Sequence, residues 1–469
     1  MVKDTGCVEP LTASGSFNCF FNLNGLVFLS DTWSASMTID AIIIGTGVIG
    51  TATAFEMAKK GWSTLSIDRN RQVGHGSTAG SCAIIRMHYS TFDGTAFAWE
   101  GYHYWRDWAD YVALPKGSIL AQFKQCGCLV MQTKSNGNLE KHIENSSSLG
   151  IPIEKWDSYK IIHQFPIYSL ESFYPPKLPN EDGFGMANGT KIRGGVYWPK
   201  AGYVTDPALS SQNLADAAKL YGAKFRMGVE VSSILQDGGK VKGVKLNSGE
   251  EIHAPVVINV AGPGSSYINQ LAGVEDEMTI KTRPLRQEVV HVPSPQGFDF
   301  ERNGTIVSDS DIAVYCRPEG GNHILIGSED PECDEHRWVN ADTGYDDNFS
   351  EQWTTQAMRY AQRVPGLGIP SKMRGVVDLY DASTDWIPIY DKSSLAGFYM
   401  ACGSSGNQYK NAPIAGKMMA ELVDYCEAGN DHDTVPLKFR LPYINRTINA
   451  GFYSRKRSIN AESSFSVLG

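Results

Sequence analysis

Three glycines near the start of the recognisable fold have the spacing of a phosphate-binding turn. Gly45, Gly47 and Gly50 directly follow the apolar run Ile39–Ile44, and a stretch with helical spacing of small and apolar residues, Thr51–Lys60, comes next. In this pattern the first glycine permits the tight turn, the second lets the backbone approach a pyrophosphate, and the third lets the helix pack against the strand. The free N–H groups and the dipole of a helix N-terminus favour phosphate there. The motif therefore predicts dinucleotide binding.

The residue after the next apolar run narrows the choice of dinucleotide. Residues Ser63–Ile67 have the composition of a second strand, and Asp68 follows them. A carboxylate at this position accepts hydrogen bonds from the ribose hydroxyls and repels a 2′-phosphate, so FAD or NAD is predicted rather than NADP. A glycine turn without a ligand would leave the acid unexplained.

A long run of small residues after Asp68 favours FAD over NAD. Residues 74–86 read Gly-His-Gly-Ser-Thr-Ala-Gly-Ser-Cys-Ala-Ile-Ile-Arg, a loop that an NAD dehydrogenase does not need here. It resembles the flavin-cradling segment of the D-amino-acid oxidase superfamily of FAD-dependent oxidoreductases. The motifs are most similar to those of the monomeric sarcosine oxidase and N-methyl amino acid oxidase group. Later segments near 194–207, 229–263 and 397–416 resemble further family segments in the same order.

The resemblance implies FAD bound without a covalent link, and no metal. Family members with covalent flavin use a cysteine or a histidine at two places that correspond here to Asp378 and Gly80. The residues that the resemblance assigns to the cofactor are Gly45, Gly47, Val48, Ile49, Gly50, Asp68, Arg69, Gly76, Ser77, Thr78, Ser81, Cys82, Val231, Ala261, Gly262, Gly403, Gly406, Asn407, Gln408, Tyr409 and Lys410.

The resemblance also places two cations beside the flavin. Arg86 ends the small-residue loop and Lys410 lies in the last motif, where sarcosine oxidases bind the substrate carboxylate from either side. An arginine offers a planar fork and a lysine a point charge. Tyr380 is the third candidate for the catalytic pocket. Two structural alternatives stay open: Arg86 pairs with a structural acid, and Lys410 is a solvated lysine in a turn.

These residues together predict FAD-dependent oxidation of an amine or amino acid at its C–N bond. Hydride passes to the flavin, and water hydrolyses the resulting imine. The expected partners are a small carboxylate-bearing amine and, as electron acceptor, O2 or an electron-acceptor protein. Two alternatives stay open: a 2-hydroxyacid or glycerol-3-phosphate-type dehydrogenase acting on a C–O bond, and a non-catalytic flavin-binding subunit.

The scattered motifs predict an α/β fold with two domains. A Rossmann-like FAD-binding domain is expected to combine residues 37–112, 191–283 and 371–440. Residues 113–190 and 284–370 are expected to form a substrate domain with a mainly antiparallel β-sheet, as in glutathione-reductase-2-like folds. Residues 1–36 are predicted to be an extension outside the catalytic fold, with Met37 as a candidate natural start, and residues 441–469 a C-terminal tail.

Composition limits the class of protein. A chain of 469 residues is too long for one core, and its net charge of −9 argues against nucleic acid as a partner. No apolar run reaches the roughly 20 residues of a membrane span. The nine cysteines are an odd number spread over the chain, which indicates free thiols in a reducing compartment, so a cytoplasmic location is expected.

Overall fold

The computed structural model describes residues 38–340 and 344–469, so the predicted extension at residues 1–36 lies outside the described part. Within these ranges no helix is both long and apolar enough to cross a bilayer. The α-helices of the described residues are α1 (Val48–Lys59), α2 (Phe92–Arg106), α3 (Trp108–Val112), α4 (Leu139–Ser148), α5 (Ser158–Gln164), α6 (Pro207–Leu220), α7 (Ser265–Leu271), α8 (Phe300–Asn303), α9 (Glu351–Arg363) and α10 (Ala412–Glu427).

The strands of the described residues run throughout the chain. They are β1 (Ala41–Ile44), β2 (Thr64–Asp68), β3 (Ile84–Ile85), β4 (Phe123–Gln125), β5 (Cys128–Met131), β6 (Glu154–Asp157), β7 (Gly194–Trp198), β8 (Gly202–Val204), β9 (Lys224–Met227), β10 (Val231–Asp237), β11 (Lys240–Leu246), β12 (Glu251–His253), β13 (Val256–Asn259), β14 (Thr282–Pro293), β15 (Ile306–Asp309), β16 (Val314–Glu319), β17 (His323–Ser328), β18 (Arg337–Trp338), β19 (Gly375–Ser383), β20 (Ile389–Lys392), β21 (Phe398–Cys402), β22 (Lys438–Leu441) and β23 (Arg446–Asn449).

A six-stranded sheet carries the predicted dinucleotide motif. Its order is β20-β21-β13-β1-β2-β9, and only the pair β20–β21 is antiparallel. Strands β1 and β13 are buried along their whole length because both faces of the sheet are covered, which explains their β-branched composition. Helices α6 and α10 pack against α1 on one face, and the small sheet β10-β11-β12 lies over the other.

Helix α1 begins three residues earlier than the sequence pattern predicts. Gly47 is the N-cap and Val48 the first helical residue, so the third glycine of the motif lies inside the first turn. A Cβ on Gly50 would clash with the carbonyl oxygen of Gly45, and only glycine fits this close approach. The early start brings the helix N-terminus directly to the carboxyl end of β1.

A second, larger sheet is mainly antiparallel. Its order is β18-β14-β17-β16-β15-β5-β7-β6, with β19 paired along β14, and only the pair β15–β5 is parallel. Helix α9 covers it through a core that includes Trp353 and Tyr360. The predicted fold class, a Rossmann-like α/β unit with a mainly antiparallel second sheet, is confirmed.

Strand pairing does not follow the predicted segments everywhere. Strands β7 and β19 fall in segments predicted for the FAD-binding domain, yet both pair within the larger antiparallel sheet. The motif around β19 borders the cofactor cavity described below, although its backbone belongs to the second sheet. The domain boundaries themselves stay a prediction.

Candidate active site

A cavity of about 440 Å³ lies between the carboxyl edge of the six-stranded sheet and the larger sheet. Twenty of the residues predicted to bind the cofactor line it, together with Arg86 and Tyr380. They are Gly45, Gly47, Val48, Ile49, Gly50, Asp68, Arg69, Gly76, Ser77, Thr78, Ser81, Cys82, Val231, Ala261, Gly262, Gly406, Asn407, Gln408, Tyr409 and Lys410. Segments hundreds of residues apart in sequence thus meet at one place.

Gly403 is the one predicted cofactor residue that does not line the cavity. Its neighbours Cys402 and Ser404 do, and Gly403 turns the chain between them with φ of +69°. Its N–H donates a hydrogen bond of 2.6 Å to Oδ2 of Asp381, an acid whose pKa burial raises to about 7. Gly403 therefore positions the cavity-lining residues Cys402 and Ser404 without lining the cavity itself.

The glycine turn has the form that a pyrophosphate requires. Gly45 has φ of +110°, and a Cβ there would clash with the carbonyl oxygen of Val260. The first turn of α1 has no acidic residue, and its N-cap, Gly47, has no side chain that could accept a hydrogen bond. The N–H of Val48 donates to Thr78 Oγ1 at 3.0 Å. A helix N-terminus that opens on a cavity favours an anion there, so the turn fits the FAD pyrophosphate.

Asp68 is fixed in place at the end of β2. Its Oδ2 accepts hydrogen bonds from Thr46 N at 2.7 Å and from Thr46 Oγ1 at 2.8 Å, and its Oδ1 accepts one from Asn70 N at 2.8 Å. Each carboxylate oxygen has further acceptor capacity. The carboxylate is therefore oriented before any ligand binds and fits the predicted role of holding the ribose.

Gly80 and Asp378, which correspond to the two positions where family members attach flavin covalently, are adjacent in space. A Cβ on Gly80 would clash with Oδ2 of Asp378, although 298 residues separate the two in sequence. Ser77 Oγ donates to Oδ1 of the same carboxylate at 3.1 Å. Both residues line the cavity, so the histidine and cysteine attachment places of the family converge on one spot that holds neither nucleophile here.

Arg86 and Lys410 are both buried, with 7% and 2% of their surface exposed, and both line the cavity. Arg86 donates from Nη1 to His88 O and, at 2.9 Å, from Nη2 to Val467 O; Lys410 Nζ donates to Asn407 O. Within residues 38–340 and 344–469 neither forms an ion pair with an acid. The alternatives of an acid-paired Arg86 and a solvated Lys410 are therefore wrong for the described residues.

The acid whose charge acts on Arg86 is already satisfied elsewhere. Glu329 accepts hydrogen bonds from Ser308 Oγ at 2.6 Å and from Ser310 Oγ at 2.7 Å. Burial raises the pKa of Glu329 to about 7, so this carboxyl group carries a full negative charge only above neutral pH. The charge of Arg86 thus keeps a positive potential at the cavity wall.

Tyr89 contacts both Arg86 and Lys410 through its ring. Its ring centroid is 4.7 Å from Cζ of Arg86 and 4.8 Å from Nζ of Lys410, both within cation–π range. Its hydroxyl donates to Asn407 O at 2.8 Å, and Trp105 Nε1 donates to the Lys410 carbonyl at 2.7 Å. These contacts fix the spacing of the positive charges.

Sequence reasoning missed part of the wall on the larger sheet and in the last residues. Tyr315 and Gln287 line the cavity, and Tyr315 Oη lies 3.6 Å from Cys82 Sγ. Val467 and Leu468 also line it. The polar side chain of Gln287 in a largely buried strand could have indicated a site residue. No local sequence pattern marks Val467 or Leu468.

Comparison with known proteins gives the family. Residues 40–422 match the family model described as FAD dependent oxidoreductase, so the chain belongs to this family and uses FAD. It is 24% identical over 398 residues to sarcosine oxidase subunit beta of Arthrobacter sp, covering 83% of this chain and 88% of that protein.

The chain is also similar in fold to solved structures. L-proline dehydrogenase from P. horikoshii has a TM-score of 0.69 and 20% identity, covering 89% of this chain and 97% of that one. Glycine oxidase from Bacillus cereus ATCC 14579 has a TM-score of 0.65 and 19% identity, covering 84% of this chain and 97% of that one. The identification as an FAD-dependent oxidoreductase agrees with the resemblance seen in the sequence.

Replacing Asp68 with alanine tests the ribose contact. Loss of a charge-assisted hydrogen bond of about 1.5–3 kcal/mol should lower FAD affinity roughly ten- to hundred-fold in fluorescence titrations of flavin-free protein. Substrate preference should not change, because Arg86 and Lys410 are untouched. The matched control is Asp40→Ala, which removes a carboxylate that accepts from Ser63 N but does not line the cavity. Equal FAD affinity of Asp68→Ala and wild type would show that another group holds the ribose.

Proposed function

We propose that this chain oxidises a small amine or amino acid that bears a carboxylate, and that Arg86 and Lys410 bind this carboxylate. The observation that carries the proposal is the pair of buried cations at the cavity wall, without an acidic partner among the described residues. A buried charge without a counterion costs several kcal/mol, so a site that holds a charged arginine beside a lysine is complementary to an anion. Sarcosine, glycine and L-proline, named in the relatives, are all carboxylate-bearing amines.

Arg86 keeps enough donors to bind a carboxylate in a bidentate manner. A guanidinium group has five N–H donors, and the hydrogen bonds to His88 O and Val467 O use two of them. The two backbone carbonyls fix the plane of the fork before the substrate arrives. A planar fork held in this way binds the two carboxylate oxygens with defined geometry.

Lys410 responds to the substrate through its proton. Burial, and then the charge of Arg86, lower the pKa of the Lys410 ammonium well below its usual value. A carboxylate bound beside it favours the charged form and raises this pKa again. Above the pKa of the free site, substrate binding is therefore coupled to proton uptake, and affinity should fall as pH rises.

FAD, when bound, supplies the acceptor for a hydride from the carbon next to the substrate nitrogen. The residues of the chain orient that carbon by fixing the carboxylate, which is a positioning effect. Tyr380 lines the same cavity, and burial raises its pKa, so the phenol stays neutral. Burial also lowers the pKa of His88 well below its usual value, so this cavity residue adds no further charge. The imine product hydrolyses in water, and O2 or an electron-acceptor protein takes the electrons.

We also propose that FAD is bound without a covalent link. Asp378 and Gly80 occupy the convergent attachment spot, and neither offers a thiol or an imidazole. Precipitation of the purified protein with acid should release all of the yellow colour into the supernatant. Flavin that stays in the washed pellet would contradict this proposal.

Replacing Arg86 with alanine tests the carboxylate site. With an amino acid and its decarboxylated amine as a matched pair, the variant should weaken binding of the amino acid by about ten-fold or more and leave the amine nearly unchanged. Arg86→Lys should restore only part of the affinity for the amino acid, because the planar guanidinium group is lost. The measurement is anaerobic single-turnover reduction of the bound flavin over a range of substrate concentrations.

The matched control is Arg302→Ala, since Arg302 is exposed and does not line the cavity. An equal effect of Arg86→Ala on both substrates, or no effect on either, would contradict the assignment. Reduction of the flavin by hydroxyacids and by no amine would point instead to C–O oxidation.

A further inference from the structure

The segment 463–469 forms compact turns that its own serine side chains stabilise. Ser463, Ser464 and Ser466 each accept, through Oγ, a hydrogen bond from the N–H two residues later, at 3.2, 3.3 and 3.2 Å. Serine hydroxyls stabilise compact turns in this way. The segment follows the part of the chain that the family model matches, residues 40–422.

Buried and polar contacts attach this segment to the body of the protein. Arg457, just before it, donates to both carboxylate oxygens of Asp385 at 2.7 and 3.0 Å. Asp385 is fully buried, so the ion pair anchors the chain firmly. At the far end of the segment, Gly469 O accepts a 3.2 Å hydrogen bond from the N–H of Ser90, which lies four residues after Arg86 in the sequence.

The segment reaches the substrate side of the cavity. Val467 and Leu468 line the cavity, and the Val467 side chain is in a cluster with Tyr315, Leu285 and Trp386, with Tyr380 packed against it. The Val467 carbonyl accepts the 2.9 Å hydrogen bond from Arg86. One residue thus contacts both the proposed carboxylate site and the apolar wall beside it.

We propose that the segment 463–469, through Val467, forms the wall that limits the size of the substrate side chain. The inference rests on the proposed function, because it takes the carboxylate position as the origin of the bound substrate. With the carboxylate held by Arg86, a group attached close to it meets the wall that contains Val467. One methylene in such a pocket changes selectivity by about 10–200-fold.

The test uses the FAD-loaded full chain with Val467→Ala and Val467→Phe. The probes are unreactive carboxylates of increasing size, acetate, 3-methylbutyrate and phenylacetate, with Kd read from the change in the flavin absorption spectrum. Val467→Ala should improve phenylacetate relative to acetate by about 10-fold, and Val467→Phe should shift the ratio in the opposite direction. Anaerobic reduction of the flavin by glycine, alanine and phenylalanine should show the same dependence on side-chain size: Val467→Ala should favour phenylalanine over glycine, and Val467→Phe should do the opposite.

Phe465→Ala is the matched control, because Phe465 belongs to the same segment, is 44% exposed and does not line the cavity. Its Kd ratios should equal those of wild type. Unchanged ratios in Val467→Ala, with normal acetate binding, would overturn the inference and leave the proposed function intact. If no carboxylate binds to wild type, the proposed function fails and the inference falls with it. If Val467→Phe does not retain flavin, Val467→Ala alone decides.

Discussion

A buried arginine and a buried lysine in contact with one aromatic ring are the constraint on which the substrate side of this structure depends. Arg86 and Lys410 both contact the ring of Tyr89, and backbone carbonyls take their hydrogen bonds in place of acids. Carbonyl oxygens satisfy donors without cancelling the charge, so the wall remains attractive to an anion. An acid placed beside either cation would stabilise the free protein but abolish this complementarity.

The fold brings these groups together by long-range packing. Arg86 directly follows the short strand β3, Lys410 lies in a 3₁₀ turn before α10, and Val467 comes from the last residues of the chain. Trp105 on α2 fixes the backbone of Lys410, and the Arg457–Asp385 ion pair fixes the approach to Val467. The cofactor half is different, because the turn between β1 and α1 and the acid at the end of β2 are local to one strand–helix–strand unit.

This difference explains how much the sequence could predict. The glycine turn, α1 and Asp68 follow from spacing within about thirty residues, where local sequence determines local structure. The roles of Arg86 and Lys410 came from resemblance, since no local pattern tells a buried cation from a solvated one. Gln287 and Val467 were missed because the pairing of β14 with the distant β19, and the docking of the last segment, place them at the cavity, whereas Tyr315 lies between the neighbouring strands β15 and β17, where no motif marks it. Pairing between distant strands also moved β7 and β19 into the larger sheet.

The central claim is that the buried cation pair binds a carboxylate and that Lys410 takes up a proton as it does so. The most direct measurement is calorimetric titration of the FAD-loaded protein with propionate and with propionamide at a series of pH values, in two buffers of different ionisation enthalpy. The account predicts that propionate binds at least ten-fold more tightly than propionamide, with net proton uptake that disappears in Lys410→Met. Equal affinity for both ligands without proton uptake would contradict it.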